Sequence, residues 1–186
     1  MHTEIEAKLK VESFQQVIEK LKELGGQFAG EQVQKDCYFD DAKRTLTESD
    51  RGLRLRRHCA GGDEKNILTY KGAKEVGKFK QRQEIETEVK DGDSMEGLLL
   101  ALGFEKAIFF EKKRQVWYFG GCEVALDELP MLGEFVEIEG PDEEKIVEVM
   151  NNLELTGFDP IKESYAHLMN EKLRELKKSG VKDETR

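Results

Sequence analysis

Glu4-Ile5-Glu6-Ala7-Lys8-Leu9, near the start of the chain, and Phe135-Val136-Glu137-Ile138-Glu139, near its far end, are written on the same two-residue period. Alternate side chains of a β-strand share a face. Glu4, Glu6 and Lys8 therefore point one way and Ile5, Ala7 and Leu9 the other, and Glu137 and Glu139 oppose Val136 and Ile138 in the same manner.

The pattern recurs between these two stretches. Arg54 and Arg56 lie against Leu53 and Leu55, and Thr69 and Lys71 against Leu68 and Tyr70. Lys80, Arg82, Glu84, Glu86 and Glu88 form one long charged row, Lys112 and Arg114 share a face, and Glu123, Ala125 and Asp127 alternate with Val124 and Leu126. Such alternation fits an open antiparallel sheet with one solvated face. It also fits a barrel whose charged face is turned inward and whose apolar face is covered by helices. Arginines concentrated on some strands and paired carboxylates on others favour the barrel, because a solvated face is ordinarily a loose mixture of Thr, Ser, Gln, Lys and Glu.

At 186 residues the chain suits a single domain with a full core. With 39 acidic and 30 basic residues the net charge is −9, so the outer field repels nucleic acid while leaving room for a basic pocket inside. Cys37, Cys59 and Cys122 are odd in number and form no C-x-x-C pair, which argues against a disulfide scaffold or a thiolate zinc site and points to a reducing compartment. No signal peptide is recognisable and no apolar run approaches the roughly 20 residues that span a bilayer. A soluble, cytoplasmic protein without a membrane partner is expected, and a homodimer is the commonest assembly for such a chain.

Helical spacing of Phe14, Val17, Ile18, Leu21 and Leu24 after Ser13-Phe14-Gln15-Gln16, read as a capping box, predicts a first helix ending at Gly25-Gly26. A strand over Val33–Asp40, with Gln34, Asp36, Tyr38 and Asp40 on one face, precedes a polar loop over 41–50. Strands over 53–57 and 66–71 flank Gly61-Gly62; residues 74–78 read as a mobile loop leading into a strand over 79–89. Asp93 caps a second helix ending at Gly103. Strands over 108–119 and 122–126 meet at Gly120-Gly121, the carboxylate strand follows Gly133, and two more helices carry Ile146, Val147, Met150 and Leu153, then Tyr165, Leu168, Met169, Leu173 and Leu176. About eight strands, joined mostly as neighbours, and four helices suit a closed antiparallel barrel.

With the charged faces inward, Lys8, Arg54, Arg56, Lys71, Arg82, Lys112 and Arg114 share a lumen with Glu4, Glu6, Asp127, Glu137 and Glu139. So many confined ions need compensation by a ligand or metal. A polyphosphate with Mg²⁺ or Mn²⁺ suits both signs: Arg forks match phosphate oxygens, and these metals take carboxylate oxygens, water and substrate phosphate together. No P-loop is present. His2, His58 and His167 lack ligand spacing and read as surface residues, Ser13 as a cap, and Trp117 as a core or interface residue.

Glu4-Ile5-Glu6-Ala7-Lys8 resembles the ExExK signature of the CYTH family, the triphosphate tunnel metalloenzymes that include class IV adenylyl cyclases and thiamine triphosphatases. Gln34–Asp40, Leu53–Arg56, Thr69–Gly72, Arg82–Glu86, Lys112–Arg114, Leu126-Asp127, Leu132–Glu139 and Lys162–Tyr165 follow in that family's order, over about residues 4–175. The resemblance implies an α+β fold, an eight-stranded antiparallel closed barrel with covering helices, formed by one domain over residues 1–179 with a flexible tail over 180–186. It implies Glu4, Glu6, Asp127, Glu137 and Glu139 as ligands of Mg²⁺ or Mn²⁺, and Lys8 with Glu4 and Glu6 as the catalytic group. Lys8, Arg54, Arg56, Lys71, Arg82, Lys112, Arg114 and Lys162 are the implied phosphate-binding residues, with Arg82, Lys112, Glu84 and Glu86 also pairing with neighbours to set orientation. Tyr38 and Tyr165 are assigned to packing. The implied partner is ATP, inorganic triphosphate or thiamine triphosphate. The implied activity is that of a class IV adenylyl cyclase, with a triphosphatase and a non-catalytic polyphosphate- or nucleotide-binding module as alternatives.

Overall fold

The computed structural model describes residues 2–179, so the tail expected over 180–186 lies outside the described residues. Eight strands, β1 (His2–Val11), β2 (Gln27–Asp40), β3 (Gly52–Ala60), β4 (Asp63–Lys74), β5 (Lys80–Val89), β6 (Glu105–Phe119), β7 (Cys122–Leu129) and β8 (Gly133–Glu139), close into a barrel in the order β1-β5-β4-β3-β2-β6-β7-β8. Every neighbouring pair is antiparallel. Closure depends on β1, which pairs with β5 through His2–Glu6 and with β8 through Glu6–Val11.

The apolar face of the barrel is the outer one. Ala7, Leu9, Val124, Leu126, Val136 and Ile138 pack beneath α1 (Gln15–Glu23) and α4 (Glu143–Asn152), against Val17, Leu21, Ile146, Val149 and Met150. Trp117 belongs to the same cluster. On another side Cys37, Phe39 and Leu55 are covered by Leu99 of α3 (Gly92–Ala101). The fifth helix, α5 (Tyr165–Lys178), behaves differently. It packs on Ile108, Phe110, Leu129 and Phe135, which share strand parity with the lumenal Lys112, Asp127 and Glu137. At that end the inward face of the barrel turns apolar, and α5 fills it.

Several local expectations are corrected. Within the segment read as loop, a one-turn helix α2 (Thr45–Glu48) forms because Asp40 accepts hydrogen bonds from the backbone N–H of Leu46 (3.0 Å) and Thr47 (2.8 Å). Asp40 therefore leaves the lumen although it shares strand parity with Gln34, Asp36 and Tyr38: its carboxylate is turned onto α2, next to the bulge at which β6 passes over Ala107 between the Tyr38 and Phe39 pairings. Helix α3 is capped by Asp91 rather than Asp93, whose carboxylate instead pairs with Arg57 at 2.6 Å. The reciprocal box at Ser13 does not form; Ser13 accepts from Gln15 N–H at 3.2 Å, and Phe14 N–H donates to Glu134. The connection after β4, expected to be mobile, is tied down by Glu143, which accepts from Lys78 N–H, and by Lys162, which donates to the Gly77 carbonyl.

A candidate triphosphate tunnel

The lumen is a cavity of about 500 Å³ reached from one end, where Glu31, Ala60 and Tyr118 are exposed, and bounded at the other by Ser164 and Tyr165 at the start of α5. Glu4, Glu6, Lys8, Arg54, Arg56, Lys71, Arg82, Lys112, Arg114, Glu137 and Glu139 line it, so the structure gathers nearly all the residues selected from the sequence. Two fall elsewhere. Lys162 is exposed, its Nζ 2.6 Å from the Gly77 carbonyl oxygen, and Asp127 faces inward but is fully buried beneath Lys112 and Arg114 rather than lining the cavity.

The cations are held by carboxylates, as buried ions must be. Arg56 grips Asp36 through Nε (2.6 Å) and an Nη (2.7 Å). Burial alone would raise the Asp36 carboxyl, but Arg56 overrides it and holds the group well below the usual carboxylate range. Asp127 accepts from Lys112 at 2.8 Å on one oxygen and from Arg114 Nε at 2.7 Å on the other, so two cations already balance its charge. Glu137 contacts Arg114 and stands 3.4 Å from Lys8 Nζ. Burial works against its charge, and Lys112, Lys8 and Arg114 together keep it ionised. Burial, reinforced by Arg54 for Lys71 and by Arg114 for Lys112, pulls both lysines down to about 8.

Opposite this wall the acids are crowded. Glu139 on β8 is in register with Glu6 on β1 and with Glu123 on β7, which puts three carboxylates side by side across adjoining strands. Like charges placed opposite one another in a sheet repel. Burial, then Glu4 and Glu123, push the Glu139 carboxyl up to about 8. One oxygen of Glu4 is buried without a hydrogen-bond partner. That oxygen, 3.8 Å from Lys71 Nζ, and the neighbouring Glu6 and Glu139 carboxyls are a donor set of hard oxygens, the type that suits Mg²⁺ or Mn²⁺. Among the described residues no three His, Cys, Asp or Glu side chains converge into a protein-only cage. Mg²⁺ ordinarily takes one or two carboxylates and completes its shell with water and substrate phosphate.

Sequence reasoning passed over several lumenal groups. Lys80, whose Nζ is 2.7 Å from Glu6, and Glu123 were legible as members of charged faces, but their partners follow only from strand order. Read as a surface residue, His58 is instead half-buried in the lumen wall with Nδ1 3.1 Å from Gln32 Oε1; its parity with Arg54 and Arg56 was the available signal. His167 is exposed as expected, and the side chain of His2 lies outside the described residues. Tyr38 stacks on Phe110 with centroids 6.2 Å apart, and Tyr165 lines the cavity itself.

A closed antiparallel barrel with an ionic bore, cations on one wall and carboxylates on another, defines a tunnel-type barrel protein. The CYTH domain profile matches residues 2–185, and the chain belongs to the CYTH family. A Methanocaldococcus jannaschii protein, provisionally named an adenylate cyclase, is 30% identical over 89% of this chain and 97% of its own length. The structure of a Pyrococcus horikoshii protein superposes with a TM-score of 0.78 at 32% identity, covering 91% of this chain and 99% of that one. A Hippeastrum protein shares the fold, with a TM-score of 0.69 at 19% identity over 99% of this chain and 98% of its own.

Proposed function

We propose that the protein is a metal-dependent enzyme acting on a triphosphate held along the tunnel, and that it converts ATP to cyclic AMP and pyrophosphate. The observation that carries this reading is the opposition, within one lumen, of a cationic wall and a carboxylate row whose members repel one another. A polyanionic chain satisfies the first and a divalent cation the second.

Phosphoryl chemistry asks for charge neutralisation and in-line placement more than for a covalent group. Lys8, Arg54, Arg56, Lys71, Arg82, Lys112 and Arg114 would hold and neutralise the phosphates. Glu4, Glu6 and Glu139, with Glu123 beside them, would hold Mg²⁺ or Mn²⁺. That ion, when bound, supplies Lewis-acid polarisation of a phosphate oxygen. Lys8 stands 3.6 Å from Glu6 and 3.4 Å from Glu137, at the seam between the two walls, and so orients the phosphate that meets both. Cyclisation follows when a ribose hydroxyl is aligned with the innermost ester phosphate and pyrophosphate departs. The cavity volume falls within the ~300–1,000 Å³ of pockets that enclose organic ligands of drug size, and the provisional name of the Methanocaldococcus relative points the same way.

A second reading, hydrolysis of inorganic triphosphate, thiamine triphosphate or a nucleoside triphosphate, is favoured by the lining, which is mostly ionic and offers a base little apolar surface. The fold does not choose between the two: the Hippeastrum protein is described as having a dominant triphosphatase activity under a cyclase name.

Incubation with ATP, inorganic triphosphate and thiamine triphosphate under Mg²⁺ or Mn²⁺, with products resolved by phosphorus NMR, tests the proposal. Cyclic AMP with pyrophosphate is the expected result. Orthophosphate alone would replace the cyclase with a hydrolase, and no turnover of any of the three would remove both. Arg54→Ala should weaken ATP binding by about tenfold or more, the loss expected for one charge-assisted contact.

A further inference from the structure

The closed end of the tunnel is built unlike the rest of it. The inner face of the barrel is ionic up to Lys8 and Lys112 and then turns apolar at Phe110, Leu129 and Phe135. One side chain stands at that boundary. Tyr165, the first residue of α5, packs edge-on against Phe135 with centroids 5.3 Å apart and lines the lumen. Both boundary lysines lie over its ring: Lys8 Nζ is 4.2 Å and Lys112 Nζ 4.7 Å from the centroid. An aromatic face attracts cations, most strongly when they are desolvated. Lys8 and Lys112 are 1% and 2% exposed yet line the lumen, so the ring holds two largely desolvated ammonium groups at its end.

The irregular segment leading into α5 is anchored to the same place. Ile161 N–H donates to the Lys8 carbonyl at 2.8 Å, and Lys8 Nζ donates to the Glu163 carbonyl at 2.8 Å. Ser164 then caps α5 by accepting from His167 N–H at 3.2 Å. The ring therefore cannot move without moving the backbone beside β1. The Tyr165 hydroxyl is buried on the side of Asp127, outside hydrogen-bond geometry. What the side chain supplies is an aromatic wall across the bore.

We infer that Tyr165 is a specificity-determining stop: its ring ends the bore, holds Lys8 and Lys112 level with the last phosphate, and thereby limits the bound chain to three phosphates. The inference rests on the triphosphate reading above and adds to it the residue that sets the depth. A phosphate chain entering from the open end meets the two ammonium groups only where the ring stops it. Depth in turn decides which phosphorus lies beside the carboxylate row. With the ring removed, the space it occupied is floored by Phe135 and flanked by the same two lysines, and it can take one more phosphate.

Calorimetric titration of inorganic triphosphate and inorganic tetraphosphate into wild type, Tyr165→Ala, Tyr165→Leu and Tyr165→Phe tests this. Wild type should prefer triphosphate. In Tyr165→Ala the ratio of the two affinities should shift toward tetraphosphate by about tenfold, and Tyr165→Leu, which keeps more of the core volume, gives the same reading should the alanine variant fail to fold. Tyr165→Phe, which restores the ring without the hydroxyl, should recover the wild-type preference. A merely structural tyrosine would lower stability without altering that ratio. Folded Ala or Leu variants with an unchanged ratio, or a Phe variant as relaxed as the others, would overturn the stop while leaving the triphosphate reading in place. Wild type without affinity for either chain would overturn both.

Discussion

At the scale of single residues, the lumen is made tolerable by pairing. Asp36 with Arg56, and Asp127 with Lys112 and Arg114, are buried ions whose desolvation is offset by short charge-assisted hydrogen bonds. The ring of His58 sits among these cations without an acid of its own. Burial, then Arg56 and Arg54, lower its pKa to about 4. In the unfolded chain it titrates at about 6.5. Between those values the unfolded chain binds more protons, so the contribution of the neutral ring is whole above the higher value and is lost as pH falls toward the lower. The ring is only half-buried, and solvent screening reduces the effect to the order of 1 kcal/mol. Urea unfolding at about pH 7 and about pH 4.5 should show wild type losing more stability than His58→Gln by that margin. Equal losses would mean that the imidazole titrates as in water.

Elements are placed by rules of period and interrupted by specific devices. The two-residue period that divides β1 into Glu4, Glu6 and Lys8 inside and Ala7 and Leu9 outside runs through most of the strands and decides which face is which. It is interrupted where β6 bulges at Ala107 opposite Tyr38 and Phe39, and the next lumen-parity residue of β2, Asp40, turns its carboxylate onto α2. The β6–β7 hairpin uses Gly120 and Gly121 at φ of 60° and 80°, a left-handed pair that other residues adopt at a cost, and a Cβ on Gly120 would come within 2.8 Å of Val149. Helix α4, which seals the outer core, starts at Asp142, whose carboxylate accepts from Lys145 N–H at 2.8 Å. Asp142→Ala should cost about 1 kcal/mol in chemical denaturation, the usual value of an N-cap. Because Asp142 is remote from the lumen, triphosphate affinity should be unaffected. A loss of affinity would mean that α4 supports the tunnel as well as the core.

At the scale of the whole molecule, a chain of net charge −9 gathers a cluster of its cations inside an exterior rich in acids. The bore contains repelling carboxylates on one wall and confined ammonium and guanidinium groups on the other, so a ligand that satisfies both should stabilise the fold. Inorganic triphosphate with Mg²⁺, at about 100 times its dissociation constant, should add about 2.7 kcal/mol, a rise of about 5–10 °C in Tm for a chain of this size. Glu139→Gln should remove most of the Mg²⁺-dependent part of that rise in a thermal-shift measurement. A rise indifferent to Mg²⁺ in both proteins would take Glu139 out of the metal site. Among the described residues no helix is long and apolar enough to cross a membrane. Period and composition were enough to assign the strands, their charged faces and most of the ionic residues of the site, because alternation is a local property of the backbone. Partnership is not local. That Glu123 stands beside Glu139, that Asp127 is consumed by Lys112 and Arg114, that Lys162 reaches Gly77 instead of the bore, and that Tyr165 closes it all depend on strand order and helix docking. Those are set by which apolar surfaces bury one another across the barrel, and the tertiary structure alone decided them.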